Sequence, residues 1–422
     1  MNVKFRLTLM NFMQFFIWGS WLITIGVYWF QNKQWSGSEF GVIFSTMGIA
    51  SIFMPAIAGI ISDRWVNAEK LLGIMHILGS MVLFSLPLVN NPSTFFWVIL
   101  LNMIFYMPTL SLSITVAYTA LKNNKKDVIV DYPPIRIWGT IGFIAALWVV
   151  SLTGNEASSN QFYIASAVSL FLGIYSFTLP KCPPLAKGDV STKSFMDALG
   201  LRAFSLFKKR KFAVFFLFSM LLGAALQLTN AYGDTFLHDF KNVPAYSDLL
   251  AVKYPAIIMS ISQISETLFI LAIPFFLRKF GIKYVMLFSM LAWVLRFGLF
   301  AFADPAGGLW MIIMSCIIYG MAFDFFNISG SLFVETQVDA KMRGSAQGLF
   351  MMMVNGFGAL FGSFASGWII EQFFTHPDQT KDWTSIWITF AAYTLVLAVS
   401  FPLVFKYKHN PAEESAIKAM EH

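Results

Sequence analysis

Twelve apolar runs of about 20 residues recur along this chain, each long enough to cross a hydrocarbon core about 30 Å thick at 1.5 Å per residue. They are 8–30, 38–62, 71–89, 95–120, 128–152, 161–179, 212–237, 255–277, 284–303, 309–334, 345–370 and 384–405. A chain of this kind folds as an all-α membrane protein, because each spanning segment has to satisfy its own backbone N–H and C=O groups. Composition agrees: 57% of the 422 residues are hydrophobic and 12% charged, about half the charged fraction of an ordinary soluble domain.

An even number of spans places both termini on one side, and Lys and Arg say which. With the N-terminus in the cytoplasm, only Lys33, Lys241, Lys253 and Lys381 fall in outside loops, and only Arg136 and Arg296 fall within spans. The net charge of +7 is then a matter of topology. "KKRK" at 208–211 abuts a span without interleaved aromatics and reads as a membrane flank, so no nucleic-acid partner is expected. Lys4 and Arg6 imitate a signal peptide, but the run after them is too long, contains Gln14 and lacks an A-x-A site; it reads as a retained first span. Cys182 and Cys316 lie far apart and indicate neither a disulfide framework nor a metal pair.

The longest hydrophilic stretch divides six spans from six. It suggests an N-terminal half over 1–180, a cytoplasmic linker over 181–211, a C-terminal half over 212–405 and a cytoplasmic tail over 406–422. Each half has a short basic turn after its second span, "SDRWVNAEK" at 62–70 and "LRKFGIK" at 277–283. Internal duplication is the simplest account, and two such halves holding a solute near the midplane suit alternating access. "GIISDR", Gly59 to Arg64, matches the G-x-x-x-D-R signature of the major facilitator superfamily, although Trp65, Val66 and Asn67 stand where its later residues belong. Asp63 and Arg64 would form a cytoplasmic conformational latch, with a solvated turn as the alternative.

Polar residues inside the spans fall in pairs at helical spacing: Arg136 with Thr140, Gln227 with Asn230, Gln263 with Glu266, and Asp324 with Asn327. Each pair shares one helix face. A charge at the bilayer centre costs about 2.5 to 3.5 kcal/mol, so these faces should turn inward and form a polar cavity. Polar glue between helices, worth about 0.6 kcal/mol per contact, is the alternative for any single amide. Tyr319, Phe323, Phe325 and Phe326 accompany Asp324, and Trp138 follows Arg136; such rings suit a flat, partly apolar solute. Opposed donors and acceptors around them would read a nucleobase edge and sugar hydroxyls.

Pro133 and Pro134 should interrupt the fifth span a turn before Arg136. Glu266 and Asp324 are the candidates for energy coupling through a proton. No P-loop is present, so neither nucleotide nor other cofactor is expected, and a proton gradient is favoured over sodium. Gly358 and Gly362 read as small-residue packing, His76 as a packed or hydrogen-bonded residue, and Arg296 is left without a role.

The stretches "PPIRIWGTIGF", "FSMLLGAALQLTN", "IIMSISQISETLFI" with "IPFFL", and "AFDFFNISGS" followed by "SAQG" resemble the nucleoside:proton symporters of the major facilitator superfamily, in particular bacterial nucleoside permeases. The resemblance covers essentially the whole chain. It implies a twelve-helix fold in two six-helix halves and import of purine and pyrimidine nucleosides such as uridine with protons across a bacterial inner membrane. It also implies binding positions at Arg136, Thr140, Gln227, Asn230, Gln263, Glu266, Phe323 and Asp324. Ala225 stands where relatives carry Glu, and the family includes a xanthosine-preferring branch. A facilitator for another polar solute such as a sugar is the alternative within transport; an intramembrane enzyme or a non-transporting receptor are the alternatives outside it. No nucleophile with a base supports an enzyme, and a monomer is expected.

The charge distribution generates a direct test. A reporter enzyme active only outside the cytoplasm should be inactive when fused after Val190 and active when fused after Ala245; the reverse pattern overturns the orientation.

Overall fold

The computed structural model describes residues 2–126, 128–184, 201–339, 342–378 and 380–407. Among the described residues there is no β-strand, and Thr375 and Lys381 form an isolated bridge. The chain divides into two compact units, Met1–Leu199 and Gly200–His422. The division falls within 181–211; residues 185–200 of that segment and 408–422 of the tail lie outside the described residues.

The first unit contains α1 (Val3–Gly19), α2 (Gly37–Arg64), α3 (Ala68–Ser85), α4 (Pro92–Asn123), α5 (Val128–Leu152) and α6 (Asn160–Ser176). The second contains α7 (Arg210–Asp239), α8 (255–280), α9 (282–302), α10 (Leu309–Gln337), α11 (343–374) and α12 (Trp383–Val404). The hydrogen-bonded run Pro255–Phe302 counts as two helices because Gly281, at φ 75° and ψ 166°, breaks it. Nine described stretches are long and apolar enough to cross a membrane. Dividing one of them at Gly281 and adding α1 and α6, each of 17 residues, yields the twelve expected spans.

Two local expectations are corrected. The first span is not one helix: α1 ends at Gly19, a turn follows, and helix resumes over Ile25–Val27 and, in π form, Tyr28–Asn32. Pro133 and Pro134 do not interrupt α5, which runs through both. They sit near the N-terminal end of a 25-residue helix, so the turns carrying Arg136 and Thr140 keep their ladder.

Both units pair their helices in the same way, first with fifth, second with fourth and third with sixth. The first and fifth helices meet backbone to backbone in each. A Cβ on Gly142 of α5 would lie 2.1 Å from the Phe12 carbonyl of α1, and a Cβ on Gly223 of α7 would lie 2.1 Å from the Val354 carbonyl of α11. That second approach falls on the π segment Met352–Gly358, and Gly358 and Gly362 pack against α7 at Met220, Gly223 and Ala224. The third and sixth helices are joined by Ser166 donating to the Ser80 carbonyl at 2.7 Å in one unit, and by Trp387 packed on Phe297 and Phe300 in the other. A shared pairing scheme is what duplication of a six-helix unit produces.

Past α6 the chain is tied back to the start of α3. The buried Glu69 carboxylate accepts from the Cys182 N–H at 2.8 Å, and the Cys182 carbonyl accepts from Ala68 N–H at 3.0 Å. Burial, with the Glu69 carboxylate adding to it, pushes the Cys182 thiol up to about 12, which keeps it protonated and unreactive.

Gly281 adopts a backbone conformation that is essentially reserved for glycine. Gly281→Ala should therefore destabilise the protein by about 1–3 kcal/mol, read as a lower thermal unfolding midpoint of the purified protein; an unchanged midpoint would remove the turn between α8 and α9.

Candidate functional site

The first unit contributes Arg136 and Thr140, one turn apart on α5 and both half-buried. Arg136 lies about 12 Å along α5 from its start. Its guanidinium carbon sits 4.2 Å from the centre of the Phe15 ring on α1, a cation–π contact that holds the fork over that ring. Among the described residues no carboxylate forms a salt bridge with it; the ion pair at this end of the unit is Lys4 with Asp131, at 2.5 Å. The Arg136 N–H donors therefore face no internal anion and suit an oxygen acceptor brought by a solute. Trp138, expected beside Arg136, is 45% exposed and projects about 200° away around the helix; Phe15 is the ring that matters.

Phe15 is positioned by a polar network that sequence reasoning missed. Gln14 donates to the Thr109 hydroxyl at 2.7 Å and its carbonyl side-chain oxygen meets His76 Nε2 at 2.8 Å. Tyr106 donates to the Gln14 backbone carbonyl at 2.7 Å, and His76 Nδ1 lies 3.2 Å from the Ser169 hydroxyl. Four helices, α1, α3, α4 and α6, are thus tied at one level, and His76 is hydrogen-bonded, as its isolation in an apolar span suggested. The signal was present in the sequence as Gln14 and His76 inside spans, yet their pairing is a property of the tertiary structure.

The second unit holds the other six positions. Gln227 on α7 is 1% exposed, and neither its amide nitrogen nor its oxygen has a hydrogen-bond partner among the described residues. Asn230 follows one turn later, half-buried. A Cβ on Gly233 would lie 2.6 Å from the Met259 methyl, so α7 and α8 touch there. Counting from that approach, Asn230 stands three residues away on α7 and Gln263 four residues away on α8, with Gln227 and Glu266 three residues further on their helices. Buried amides without partners are costly in an apolar interior and point to a ligand.

Glu266 and Asp324 are brought together by a close crossing of α8 and α10. A Cβ on Gly320 would lie 2.6 Å from the backbone of Ser265, and the Ser265 hydroxyl donates to the Ile317 carbonyl. One turn beyond the crossing Asp324 is 5% exposed, with Oδ2 buried and lacking a hydrogen-bond partner among the described residues, and it lies in the electrostatic field of Glu266. Phe323, half-buried, stacks on Tyr319 with centroids 5.8 Å apart and planes 7° apart. The other neighbours turn elsewhere: Phe325 packs on Phe269 and Phe276, and Phe326 on Phe215 and Phe350. Asn327 also leaves the expected stripe, since its amide donates back to the Phe323 carbonyl at 3.1 Å. Ala225 is buried beside Gln227's turn and offers no acid.

Asp63 and Arg64 end α2, both exposed. An arginine in the last turn suits the helix dipole and an aspartate opposes it.

A sequence profile described as nucleoside H+ symporter matches residues 1–410. The nucleoside permease NupG of Escherichia coli (strain K12) is 50% identical over 410 residues, covering 97% of each chain. The xanthosine permease of the same organism is 50% identical over 423 residues, covering 100% of both. A crystal structure of the nucleoside transporter NupG superposes with a TM-score of 0.91 at 50% identity, over 97% of this chain and 100% of that one. A peptide transporter of the POT type superposes at 0.70 with 14% identity over 99% of this chain and 95% of that one, which shows the fold alone.

The crossing at Gly320 generates a stability test. Gly320→Ala forces two backbones apart and should cost about 1–3 kcal/mol, whereas Gly298→Ala, with open space at its Cβ, should leave the thermal midpoint unchanged or raised; equal effects would discard the close-crossing account.

Proposed function

Because the chain belongs to the nucleoside H+ symporter family, we propose that it imports nucleosides together with protons across a bacterial inner membrane by alternating access, with both termini cytoplasmic. The observation that carries this reading is the pairing of Glu266 and Asp324 beside the Tyr319–Phe323 stack, with the buried Gln227 amide, unpaired among the described residues, in the same unit. A nucleoside needs all three: a flat base to lie on a ring, base-edge donors and acceptors to meet an amide, and ribose hydroxyls to meet carboxylates.

In this mechanism Phe323 offers its face to the base, and Gln227, Asn230 and Gln263 read its edge and the ribose. Arg136, held over the Phe15 ring, donates to a carbonyl or hydroxyl oxygen, and Thr140 adds a hydroxyl on the same face. Glu266 and Asp324 serve both as acceptors for the solute and as the protonation sites. Two carboxylates in one low-dielectric site disfavour carrying two charges, so the pair is suited to take up a proton before the carrier reorients. Asp63 and Arg64 act as the cytoplasmic latch, and the carrier works as a monomer in the lipid bilayer. The solute crosses unchanged, without enzymatic conversion, cofactor or metal. The equal identity to a nucleoside permease and a xanthosine permease supports xanthosine as a second preferred substrate.

Labelled uridine supplied to proteoliposomes with the outside acidic should accumulate in the parent, and Asp324→Asn and Glu266→Gln should abolish accumulation while the proteins remain folded. Variants that concentrate uridine as steeply as the parent would sink the coupling assignment. Stronger competition by unlabelled xanthosine than by uridine would assign the xanthosine preference, and competition by a sugar alone would replace the nucleoside reading.

A further inference from the structure

We propose that Trp18 is a further solute-binding residue whose indole N–H donates to an oxygen acceptor on the nucleoside, a role that rests on the transport reading above. Trp18 is the last residue but one of α1. The residue is half-buried, but its Nε1 is fully buried and has no hydrogen-bond partner among the described residues. An indole nitrogen is a donor only, and a buried donor left unpaired in an apolar span is costly.

Three contacts place the indole beside the arginine of the first unit. It stands one turn beyond Phe15 on the same face of α1, with ring centroids 6.5 Å apart, and Phe15 is the ring over which the Arg136 guanidinium lies. Its centroid is also 5.5 Å from that of Tyr106 on α4, whose hydroxyl lies in the field of Arg136. A Cβ on the neighbouring Gly19 would lie 2.5 Å from the Phe143 carbonyl, so this turn of α1 meets α5 three residues beyond Thr140. Trp18 thus follows Phe15 by one turn on α1 as Thr140 follows Arg136 by one turn on α5.

The acceptors around it are engaged elsewhere. Tyr106 donates to the Gln14 backbone carbonyl, and Gln14 Oε1 meets His76 Nε2. The Thr109 hydroxyl accepts from the Gln14 amide and donates to the Tyr106 carbonyl at 2.6 Å. The Trp18 carbonyl accepts from Leu22 N–H at 3.0 Å where α1 gives way to the turn. What this face presents to a solute is then rich in donors: the Trp18 N–H, the Arg136 fork and the Thr140 hydroxyl. Such a set selects for oxygen acceptors, which a nucleoside carries as base carbonyls and as ribose hydroxyls.

Equilibrium binding of uridine and of xanthosine to the purified protein makes the test, and the nucleoside that the parent binds more tightly is carried forward. Trp18→Phe keeps a ring against Phe15 and Tyr106 but removes the N–H; it should raise the dissociation constant about tenfold. Trp18→His packs less well but keeps a donor, so it should bind more tightly than Trp18→Phe while unfolding at an equal or lower temperature. A packing role alone puts binding and stability in the same order. That result, or a Trp18→Phe dissociation constant equal to the parent's, overturns the proposal. The 2′-, 3′- and 5′-deoxy forms of the nucleoside separate the two sources of oxygen. A Trp18→Phe penalty that persists in every form assigns a base carbonyl, and one that disappears in a single form assigns the missing hydroxyl. If Trp18→Phe does not fold, benzothienylalanine at position 18 replaces it, with sulfur in place of the N–H in a ring of the same shape; unaltered binding there overturns the proposal. A parent that binds neither nucleoside refutes the transport reading, whereas a parent that binds one with no loss in Trp18→Phe refutes this inference alone.

Discussion

Hydrocarbon offers neither a hydrogen-bond partner nor a counter-ion, and every feature of this protein's interior answers to that constraint. Backbone groups are satisfied within helices, so the fold reduces to how twelve helices pack. Packing in turn is decided where backbones approach closely, because helices in lipid gain little from burying one apolar side chain against another. The meetings of α1 with α5 at Gly142, α7 with α11 at Gly223, and α8 with α10 at Gly320 are such places. The last of these bears directly on chemistry, since it sets the carboxylates of Glu266 and Asp324 within each other's field one turn beyond the crossing.

The two units share a helix-pairing scheme but treat their polar residues differently. In the first, Gln14, His76, Tyr106, Thr109 and Ser169 close a network in which each side chain finds a partner. Its consequence is rigidity around Phe15 and the Arg136 fork. In the second, the Gln227 amide and Asp324 Oδ2 are buried without a hydrogen-bond partner among the described residues, and Arg296 is only partly satisfied. A shared pairing scheme thus carries a cation resting on a ring in one unit and carboxylates, an unpaired amide and a buried arginine in the other. Duplication of a six-helix unit accounts for the shared frame.

Much of the candidate site's arrangement was legible as periodicity. Arg136 with Thr140, Gln227 with Asn230, and Gln263 with Glu266 each stand three or four residues apart, which places them on one helix face from the sequence alone. The same rule misled where the local backbone competed: Asn327 shares Asp324's face but bonds to its own helix at Phe323. It was silent on aromatics, because Phe323, Phe325 and Phe326 are consecutive in kind and nearly consecutive in number, yet only Phe323 stacks on Tyr319. Pro133 and Pro134 looked like a break and are not, since their lost hydrogen bonds fall near a helix end.

By itself the sequence determined that the chain spans a membrane twelve times, where its longest hydrophilic stretch lies and which residues share a helix face. These follow from hydropathy, charge counts and a helical period, all properties of neighbouring residues. Only the tertiary structure decided that Phe15 and not Trp138 supports Arg136, that Gly320 lets Glu266 meet Asp324, and that Arg296 rests against Tyr319. Each of these joins residues far apart in the chain through backbone approach or ring packing. Local pattern holds no information about which distant helix supplies the partner.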